Sequence, residues 1–318
     1  MFKTILVTGG CGAIGSEVIN RLKARYKDTK FVNLDALTYA GKKEHIEPPY
    51  DNYKFVYGNI CDVNLVKYLL ETEKPECIIH FAAETHVDNS FGNSFRFTQS
   101  NVFGTHCLLE CVRQYIQDGN DFKLFFHMST DEVYGSVDDD TPALLESALF
   151  SPSNPYSATK AAAEMICHSY LKSFKLPIII TRCNNAISQY QHKEKLIPNS
   201  INCLKNNKKI PIHGQGASKR TFIHAYDIAD AIDVIIQKGE NGNVYNIGTN
   251  QEYTVLEVVE AILQEVLPGS DINDHIEYVE DRAFQDYRYS IDSSALRQLG
   301  WKDQVSFKEA IKLLTKQF

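Results

Sequence analysis

The sequence predicts an α/β protein in which a doubly wound parallel sheet carries a smaller C-terminal lobe. Three observations support this. An apolar strand at 3–8 leads into a glycine turn and a helix, strands and helices then alternate up to residue 181, and the pattern loosens after 182. Strands separated by helices pair in parallel, because each crossover places a helix on the sheet. The chain has 318 residues, of which 43% are hydrophobic and 23% charged, an ordinary globular composition.

The elements can be assigned in order from their hydrophobic spacing. Apolar runs predict strands at 3–8, 30–34, 53–57, 77–81, 122–128 and 176–181. Helical spacing follows the glycine turn and recurs at 62–72, 94–118 and 155–173. After 182 we predict helices near 195–206, 226–237, 254–266, 293–299 and 306–316, a turn at 211–216 and a strand at 243–247. The first domain is therefore 1–181, to which 225–247 returns, and the second lobe is 182–318.

The turn after the first strand has the composition of a dinucleotide-binding turn. Gly9, Gly12 and Gly15 give the spacing GxxGxxG, which permits a tight turn and close approach of a pyrophosphate to the helix N-terminus. The second strand ends in Asp35, twenty positions after Gly15 (35 − 15), where a carboxylate would bond a ribose 2′-hydroxyl and repel a 2′-phosphate. This context favours a Rossmann-type domain that binds NAD over NADP. A glycine turn used only for packing is the alternative.

A pair of acids follows the strand at 122–128. Thr130, Asp131 and Glu132 come directly after it, and ligands of open α/β sheets bind beyond the carboxyl ends of strands. Repulsion between adjacent carboxylates, together with burial, could keep one protonated and the other ionised, which suits general acid and general base catalysis. The alternative is a solvated acidic turn closed by Gly135.

A tyrosine and a lysine open the helix at 155–173. Tyr156 and Lys160 are four positions apart and therefore share one helical face. We expect the Lys160 ammonium, and a nearby nicotinamide cation, to lower the pKa of the Tyr156 phenol from its usual value of about 10. With the Thr130 hydroxyl, these groups suit removal of a proton from a sugar hydroxyl. Two amphipathic side chains on a helix surface are the alternative.

Composition excludes several function classes. The net charge of −7 argues against general nucleic-acid binding. The eight cysteines show no Cys-x-x-Cys pair, so neither zinc nor a thioredoxin-like motif is indicated, and nothing in the chain resembles a metal site. No apolar run approaches the roughly 20 residues of a membrane helix. Since the first strand begins at residue 3, we expect a soluble, cytoplasmic protein without a signal peptide.

Taken together, these motifs resemble the extended short-chain dehydrogenases/reductases that act on nucleotide sugars. The Thr-Asp-Glu triplet resembles the nucleotide-sugar 4,6-dehydratases in particular, because epimerases and decarboxylases of this fold generally lack the acid pair. The resemblance covers nearly the whole chain. Its motifs are GGCGAIGS at 9–16, Asp35, AAETHVD at 82–88, STDEVYG at 129–135, YSATK at 156–160, EKLIP at 194–198, YNIG at 245–248 and GW at 300–301.

The resemblance implies a reaction and a role for each catalytic residue. Tyr156 would take the proton of the sugar 4-hydroxyl while hydride passes to NAD, and Thr130 would hydrogen-bond the 4-oxygen. Glu132 would then remove the C5 proton, and Asp131 would protonate the departing 6-hydroxyl. The hydride returns to C6, so the product is a 4-keto-6-deoxy sugar. Lys160 would also anchor the nicotinamide ribose.

The resemblance also implies two sets of binding residues. The NAD site would comprise Gly9, Gly12, Ala13, Ile14, Gly15, Asp35, Asn59, Ile60, Ala82, Tyr156 and Lys160. The nucleotide-sugar site would comprise His86, Asn185, Lys195, His213, Arg220 and Arg282. Surface charges and a structural histidine are the alternatives for the arginines and for His86. The helices at 94–118 and 155–173 resemble those that form a four-helix homodimer interface in this family.

A finer comparison favours UDP-glucose over dTDP-glucose as the substrate. The segments at 211–214, 238–242 and 281–286 resemble eukaryotic enzymes that begin UDP-rhamnose synthesis, whereas bacterial dTDP-glucose dehydratases usually carry Tyr in place of His213 and Gly-His in place of Phe284-Gln285. A UDP-glucose 4-epimerase and a non-catalytic NAD-binding sensor or scaffold are the remaining alternatives.

One four-residue segment and one single residue depart from the family pattern. Ala186-Ile187-Ser188-Gln189 stands where Asn-Tyr-Gly-Pro is usual, and Asn59 replaces an aspartate near the adenine. An amide can still donate and accept hydrogen bonds, so we expect NAD binding to survive the change at Asn59.

Overall fold

The computed structural model describes residues 1–281 and 284–317. Its strands are β1 (Thr4–Thr8), β2 (Lys30–Asp35), β3 (Tyr53–Tyr57), β4 (Cys77–His80), β5 (Leu124–Thr130), β6 (Ile178–Cys183), β7 (Asn185–Ile187), β8 (Ile210–His213), β9 (Lys219–His224), β10 (Val244–Ile247), β11 (Glu252–Thr254) and β12 (Ile276–Val279). Its helices are α1 (Ala13–Arg25), α2 (Val63–Glu73), α3 (Val87–Gly92), α4 (Ser94–Phe97), α5 (Gly104–Gln117), α6 (Pro155–Phe174), α7 (Leu196–Lys205), α8 (Ala225–Lys238), α9 (Val255–Val266), α10 (Ile272–His275), α11 (Ser294–Gln298) and α12 (Phe307–Gln317).

A seven-stranded parallel sheet forms the centre of the molecule. Its order is β10-β6-β5-β4-β1-β2-β3, so the strand order reverses between β1 and β4. The last strand of the sheet comes from the C-terminal half of the chain, where Val244 pairs with Ile180 of β6. The predicted doubly wound parallel sheet is therefore confirmed, and its switch point lies between β1 and β4.

Helices cover both faces of this sheet, which explains why its strands read as continuous apolar runs. Successive residues of β1 face opposite sides. Ile5 belongs to the core beneath α1 and α8, whereas Leu6 belongs to the core beneath α2, α5 and α6. Both side chains are fully buried. The two cores hold the strands so that their carboxyl ends meet along one edge.

The second lobe has a core of its own. β8 and β12 form a two-stranded sheet, and β11, β9 and β7 form a three-stranded one. Ile201 of α7, Ile212 of β8, Val259 of α9 and Ile311 of α12 meet in one buried cluster. The lobe adjoins the carboxyl edge of the large sheet through β7, which follows β6 after a single residue.

Several sequence predictions for this lobe and its approaches need correction. The predicted turn at 211–216 is wrong in its first half, because Pro211 lies within β8 opposite Glu277 of β12. The strands β7, β9, β11 and β12 were missed, since they are short and lack a clear apolar alternation. The predicted helix at 94–118 is divided by a π-helical turn, Thr98–Phe103, and the separate helix α3 precedes it.

Within the part of the chain that the structure describes, no helix is long and apolar enough to cross a bilayer. The eight cysteines are free thiols, and all of them except Cys61 are buried.

A buried ion pair links β6 to α6. Arg182 Nη2 lies 2.8 Å from Glu164 Oε2, and the two side chains are 3% and 0% exposed. Arg182 Nη1 also donates to Tyr134 Oη at 2.7 Å. Removing one partner of such a pair leaves an uncompensated buried charge, which is more costly than losing a surface pair.

We expect Arg182→Leu to lower the free energy of unfolding by about 3–5 kcal/mol, because Glu164 would stay buried without its cation. The surface pair Arg297–Asp303, at 2.8 Å and with both side chains 34% exposed, provides the control. Arg297→Leu should cost no more than about 1 kcal/mol. Urea denaturation measures both variants. Equal losses for the two would contradict the assignment of a buried, mutually dependent pair.

Candidate active site

The carboxyl ends of β1, β4, β5 and β6 open into one cavity of about 450 Å³ between the sheet and the second lobe. Its walls include Tyr156 and Glu132 together, so the predicted proton acceptor and the predicted base share one site. All predicted cofactor residues line the cavity, as do five of the predicted substrate residues: Gly9, Gly12, Ala13, Ile14, Gly15, Asp35, Asn59, Ile60, Ala82, Tyr156 and Lys160, then His86, Asn185, Lys195, His213 and Arg220. Arg282 lies outside the described residues.

The glycine turn at the end of β1 leaves no room for side chains. Gly9 has φ +71°, and a Cβ on it would lie 2.5 Å from the backbone nitrogen of Ala82. A Cβ on Gly15 would lie 2.6 Å from the carbonyl oxygen of Gly9. The backbone can therefore come close to a ligand at the N-terminus of α1, as a bound pyrophosphate requires.

Asp35, at the end of β2, accepts hydrogen bonds from the backbone of this turn and of the segment that follows β2. Its Oδ2 accepts from the backbone N–H of Cys11 at 2.8 Å, and its Oδ1 accepts from that of Leu37 at 2.8 Å. Because each carboxylate oxygen has a second lone pair, Asp35 can still accept from a ribose hydroxyl. A glycine cradle and a cavity-lining acid together fit a dinucleotide.

The acid pair follows β5 in a short 3₁₀ turn, Asp131–Tyr134. Thr130 shapes it: its Oγ1 accepts from the backbone N–H of Glu132 at 3.3 Å and donates to Asp131 Oδ1 at 3.2 Å. The turn ends at Gly135, where φ is +78° and a Cβ would lie 2.1 Å from the Ser151 carbonyl oxygen. The turn therefore holds both acids at the cavity.

Burial dominates the electrostatics of both acids. It raises the pKa of Asp131 to about 7, helped by the charge of Glu132 and opposed by Asn184, whose Nδ2 donates to Asp131 Oδ2 at 2.7 Å. Burial also raises the pKa of Glu132, opposed by a 3.3 Å hydrogen bond from Asn154 Nδ2. Tyr289 Oη lies 3.5 Å from the same Glu132 oxygen. At neutral pH the site can therefore contain one protonated and one ionised carboxyl group.

Tyr156 and Lys160 are held by the start of α6. Asn154 caps this helix, and its Oδ1 accepts from the backbone N–H of Ser157 at 2.9 Å. Lys160 Nζ donates to the Met128 carbonyl at 2.6 Å, and burial lowers its pKa to about 8. Both residues thus extend from the first turns of α6 toward the end of β5.

The prediction that Lys160 lowers the pKa of the Tyr156 phenol is wrong for this structure. Burial raises the pKa of Tyr156 well above 10, the charges of Glu132 and Asp131 raise it further, and a hydrogen bond with Thr130 opposes them. The physical reason is that Lys160 is itself desolvated and directed at the Met128 carbonyl, while the two acids face the phenol.

The predicted substrate residues form the outer part of the cavity. Arg220 donates to the backbone carbonyls of Asp286 and Tyr287 at 2.9 and 3.2 Å, and its guanidinium lies 4.6 Å from the ring centroid of Tyr289. Lys195 Nζ donates to the Thr85 carbonyl at 3.3 Å. His86 has a structural role as well, because its Nδ1 caps α3 by accepting from the backbone of Asn89.

Sequence reasoning missed three groups that contact the acids: Asn154, Asn184 and Tyr289. The pattern Asn-Pro before Tyr156 is a helix-cap signal and could have indicated Asn154. Asn184 sits beside the predicted Asn185. Nothing local marks Tyr289, because it reaches Glu132 across 157 positions of sequence.

Known proteins resemble this chain over nearly its full length. A protein-family profile described as GDP-mannose 4,6 dehydratase matches residues 6–314. A trifunctional UDP-glucose 4,6-dehydratase/UDP-4-keto-6-deoxy-D-glucose 3,5-epimerase/UDP-4-keto-L-rhamnose-reductase of Arabidopsis thaliana is 45% identical over 98% of this chain, which spans 46% of that protein. The chain thus spans about half the length of these plant relatives. The dTDP-D-glucose 4,6-dehydratase of Mus musculus is 42% identical over 98% of this chain and 87% of its own length.

Solved structures with the same fold include nucleotide-sugar enzymes with NAD bound. A dTDP-glucose 4,6-dehydratase from Streptomyces venezuelae, crystallised with NAD bound, is 36% identical with a TM-score of 0.92, covering 99% of this chain and 96% of that one. A UDP-glucose 4-epimerase from Thermus thermophilus, in complex with NAD, is 25% identical with a TM-score of 0.88, covering 99% and 98%. On the strength of the profile match and the mouse relative, the chain belongs to the GDP-mannose 4,6 dehydratase family.

Proposed function

We propose that this protein binds NAD and catalyses the 4,6-dehydration of a nucleotide hexose, with UDP-glucose as the substrate and UDP-4-keto-6-deoxyglucose as the product. The observation that carries the proposal is the meeting of Asp131, Glu132 and Tyr156 in one cavity with the glycine turn. Oxidation at C4 needs a proton acceptor, and loss of water across C5 and C6 needs an acid and a base.

NAD would lie on the glycine turn beside Asp35 and, when bound, supplies a hydride acceptor for C4 and a hydride donor for C6. Tyr156, as the phenolate, takes the 4-hydroxyl proton as the C4 hydride leaves. The resulting ketone acidifies the C5 hydrogen, which Glu132 removes. Asp131 gives its proton to the 6-hydroxyl, which departs as water, and Glu132 finally returns a proton to C5.

Thr130 provides a route by which Tyr156 and Asp131 return to their starting protonation states. Its hydroxyl is hydrogen-bonded to Tyr156, accepts from the Glu132 backbone and donates to Asp131. The single proton of this hydroxyl can be donated either to the ionised phenol of Tyr156 or to Asp131, so Thr130 lies between the two groups. The proton collected by Tyr156 can therefore pass through Thr130 to Asp131 and replace the proton that leaves with water.

The roles of the two acids follow from their surroundings. Asp131 is 2% exposed and its pKa is about 7, so it can carry a proton at neutral pH. Glu132 is less enclosed and contacts Asn154 and Tyr289 at one oxygen. We therefore assign Asp131 as the general acid and Glu132 as the general base.

The choice of UDP rests on three residues that line the cavity. His213, Phe284 and Gln285 line it, and these are positions where the bacterial dTDP-glucose enzymes usually differ. The plant UDP-glucose relative is 45% identical and the mouse dTDP-glucose relative 42%, so overall identity decides little. The three residues are the support for UDP-glucose.

We also propose a homodimer formed by the segment 94–117 and α6 of each subunit. Phe95 is 87% exposed, Phe103 50% and Met165 58%, and these side chains lie on adjoining helices. Clustered exposed apolar side chains indicate a protein–protein contact. A second copy of the same surface would cover them by two-fold symmetry.

Purified protein should convert UDP-glucose to a product lighter by one water without added NADH, and more efficiently than dTDP-glucose. Mass spectrometry and kcat/KM for both sugars measure this. Glu132→Gln should bind UDP-glucose but lose activity by about 10²–10⁴-fold, since the base is gone, whereas the surface control Glu260→Gln should keep full activity. UDP-galactose as the product, or an active Glu132→Gln protein, would contradict the proposal.

The pH dependence of kcat should have an alkaline limb. Asp131 donates only when protonated, so kcat should fall as pH rises through about 7. It should also fall at acid pH as Glu132 gains a proton. Asp131→Asn should lower kcat and abolish the alkaline limb, whereas Asp139→Asn at the surface should preserve the profile. A wild-type kcat that stays constant through pH 7 would count against Asp131 as the acid.

Phe95→Asp should produce monomers, because a charge would be buried at the proposed dimer contact. Light scattering coupled to size exclusion measures the mass. Leu149→Asp is the matched control, since Leu149 is 89% exposed but lies in the loop before α6. A dimer that survives Phe95→Asp, or a monomeric wild type, would refute this interface.

A further inference from the structure

The segment 186–191, which includes the four residues that depart from the family pattern (186–189), has one side toward the cavity and another toward α1. Asn184, Asn185, Ala186 and Gln191 line the cavity, which they share with Gly12 to Gly15 of the glycine turn. Gln191 Nε2 donates to the Ala186 carbonyl at 3.0 Å and closes the segment on itself. Ser188, Gln189 and Tyr190, which lie between Ala186 and Gln191, contact α1 and the segment that follows β2.

Ser188 makes the first connection. It is fully buried, and its Oγ donates to the carbonyl oxygen of Ala13 at 3.2 Å, across 175 positions of sequence. The same Oγ accepts from the backbone N–H of Tyr190 at 3.1 Å. Ala13 is the first residue of α1, directly after Gly12, so this bond joins the second lobe to the N-terminus at which a pyrophosphate would bind.

Gln189 makes the second connection, one turn further along α1. Its Nε2 donates to Glu17 Oε1 at 3.1 Å. Glu17 is only 3% exposed, and burial raises its pKa to about 7 while the bond from Gln189 lowers it. A buried carboxyl group needs such a partner. The glycine and proline of the usual family pattern have no side-chain donor for either contact.

Tyr190 makes the third connection, to the segment that follows β2. Its ring stacks on His45, with centroids 4.7 Å apart and planes at 26°, and its hydroxyl donates to Glu47 at 2.5 Å. His45 in turn bonds through Nδ1 to the carbonyl oxygen of Cys11 at 2.8 Å. The segment therefore reaches the glycine turn from two sides, through Ala13 and through Cys11.

We infer that Ser188, Gln189 and Tyr190 form a clasp that fixes the wall at 184–186 against the glycine turn and thereby slows the release of bound NAD. The inference rests on the proposed function for the identity of the dinucleotide. The contacts of the clasp join the wall at 184–186 to the elements around the glycine turn, so breaking them would let these two walls of the cavity separate more readily. Slow release suits a reaction in which the cofactor ends each cycle as it began.

The test measures NAD dissociation rather than turnover. Protein loaded with radiolabelled NAD is mixed with excess unlabelled NAD, and the retained label is followed by rapid filtration. Ser188→Ala and Gln189→Leu should each release NAD at least about fivefold faster, the effect of losing one hydrogen bond of ordinary net strength. Ser200→Ala is the matched control, since Ser200 is buried and donates at 2.8 Å to Leu196 within its own helix.

Folding is controlled by thermal denaturation. Gln189→Leu leaves Glu17 without its donor, so if that variant does not fold, Tyr190→Phe, which keeps the ring and loses only the bond to Glu47, takes its place beside Ser188→Ala. Faster release in folded clasp variants with an unchanged Ser200→Ala rate supports the clasp. Release within twofold of wild type in both clasp variants overturns it. A wild-type protein that binds no NAD would overturn the proposed function and the clasp with it.

Discussion

Two carboxyl groups buried side by side at the end of β5 are the constraint on which the rest of the structure depends. Asp131 and Glu132 repel each other, and burial penalises the charge on each. Such a pair is stable only where donors are already in place. The site supplies donors to both acids, Asn184 and Thr130 to Asp131 and Asn154 and Tyr289 to Glu132, and leaves both pKa values raised. The burial that destabilises the charged pair also raises its pKa values, so that one of the two acids can carry a proton near neutral pH.

The donors come from different elements, and this explains why the fold must be complete before the site exists. Asn184 follows β6, which lies beside β5 in the sheet, and Asn154 caps α6, which crosses over between those two strands. Since all seven strands are parallel, their carboxyl ends bring the glycine turn, the acid pair and Asn184 to one edge. The buried ion pair of Arg182 with Glu164 holds β6 against α6. It therefore helps to keep Asn184, which follows β6, and Asn154, which caps α6, at their distances from the two acids.

Local patterns predicted the large sheet, the glycine turn and the acid pair well, because a strand, a tight turn and adjacent residues are encoded within a few positions. The second lobe was harder to predict. Strands β7 and β11 have only three residues each, and each is a strand because it pairs with β9, which lies between them. Tyr289 could not be found for a related reason, because its contact with Glu132 spans 157 positions of the sequence.

The pKa of Tyr156 could not be predicted from the sequence for the same reason. The four-residue spacing to Lys160 is visible in the sequence, but the pKa of Tyr156 depends on its surroundings in the fold, where burial raises it most and the charges of Glu132 and Asp131 raise it further. Proton transfer to Tyr156 therefore requires additional positive charge in the cavity, and oxidised nicotinamide carries one. In the proposed reaction, bound oxidised nicotinamide would supply that charge and favour the ionised phenol, so that Tyr156 could accept the sugar proton. The Thr130 hydroxyl, which contacts both groups, would be the route by which that proton reaches Asp131. Proton transfer at Tyr156 would therefore depend on the bound cofactor.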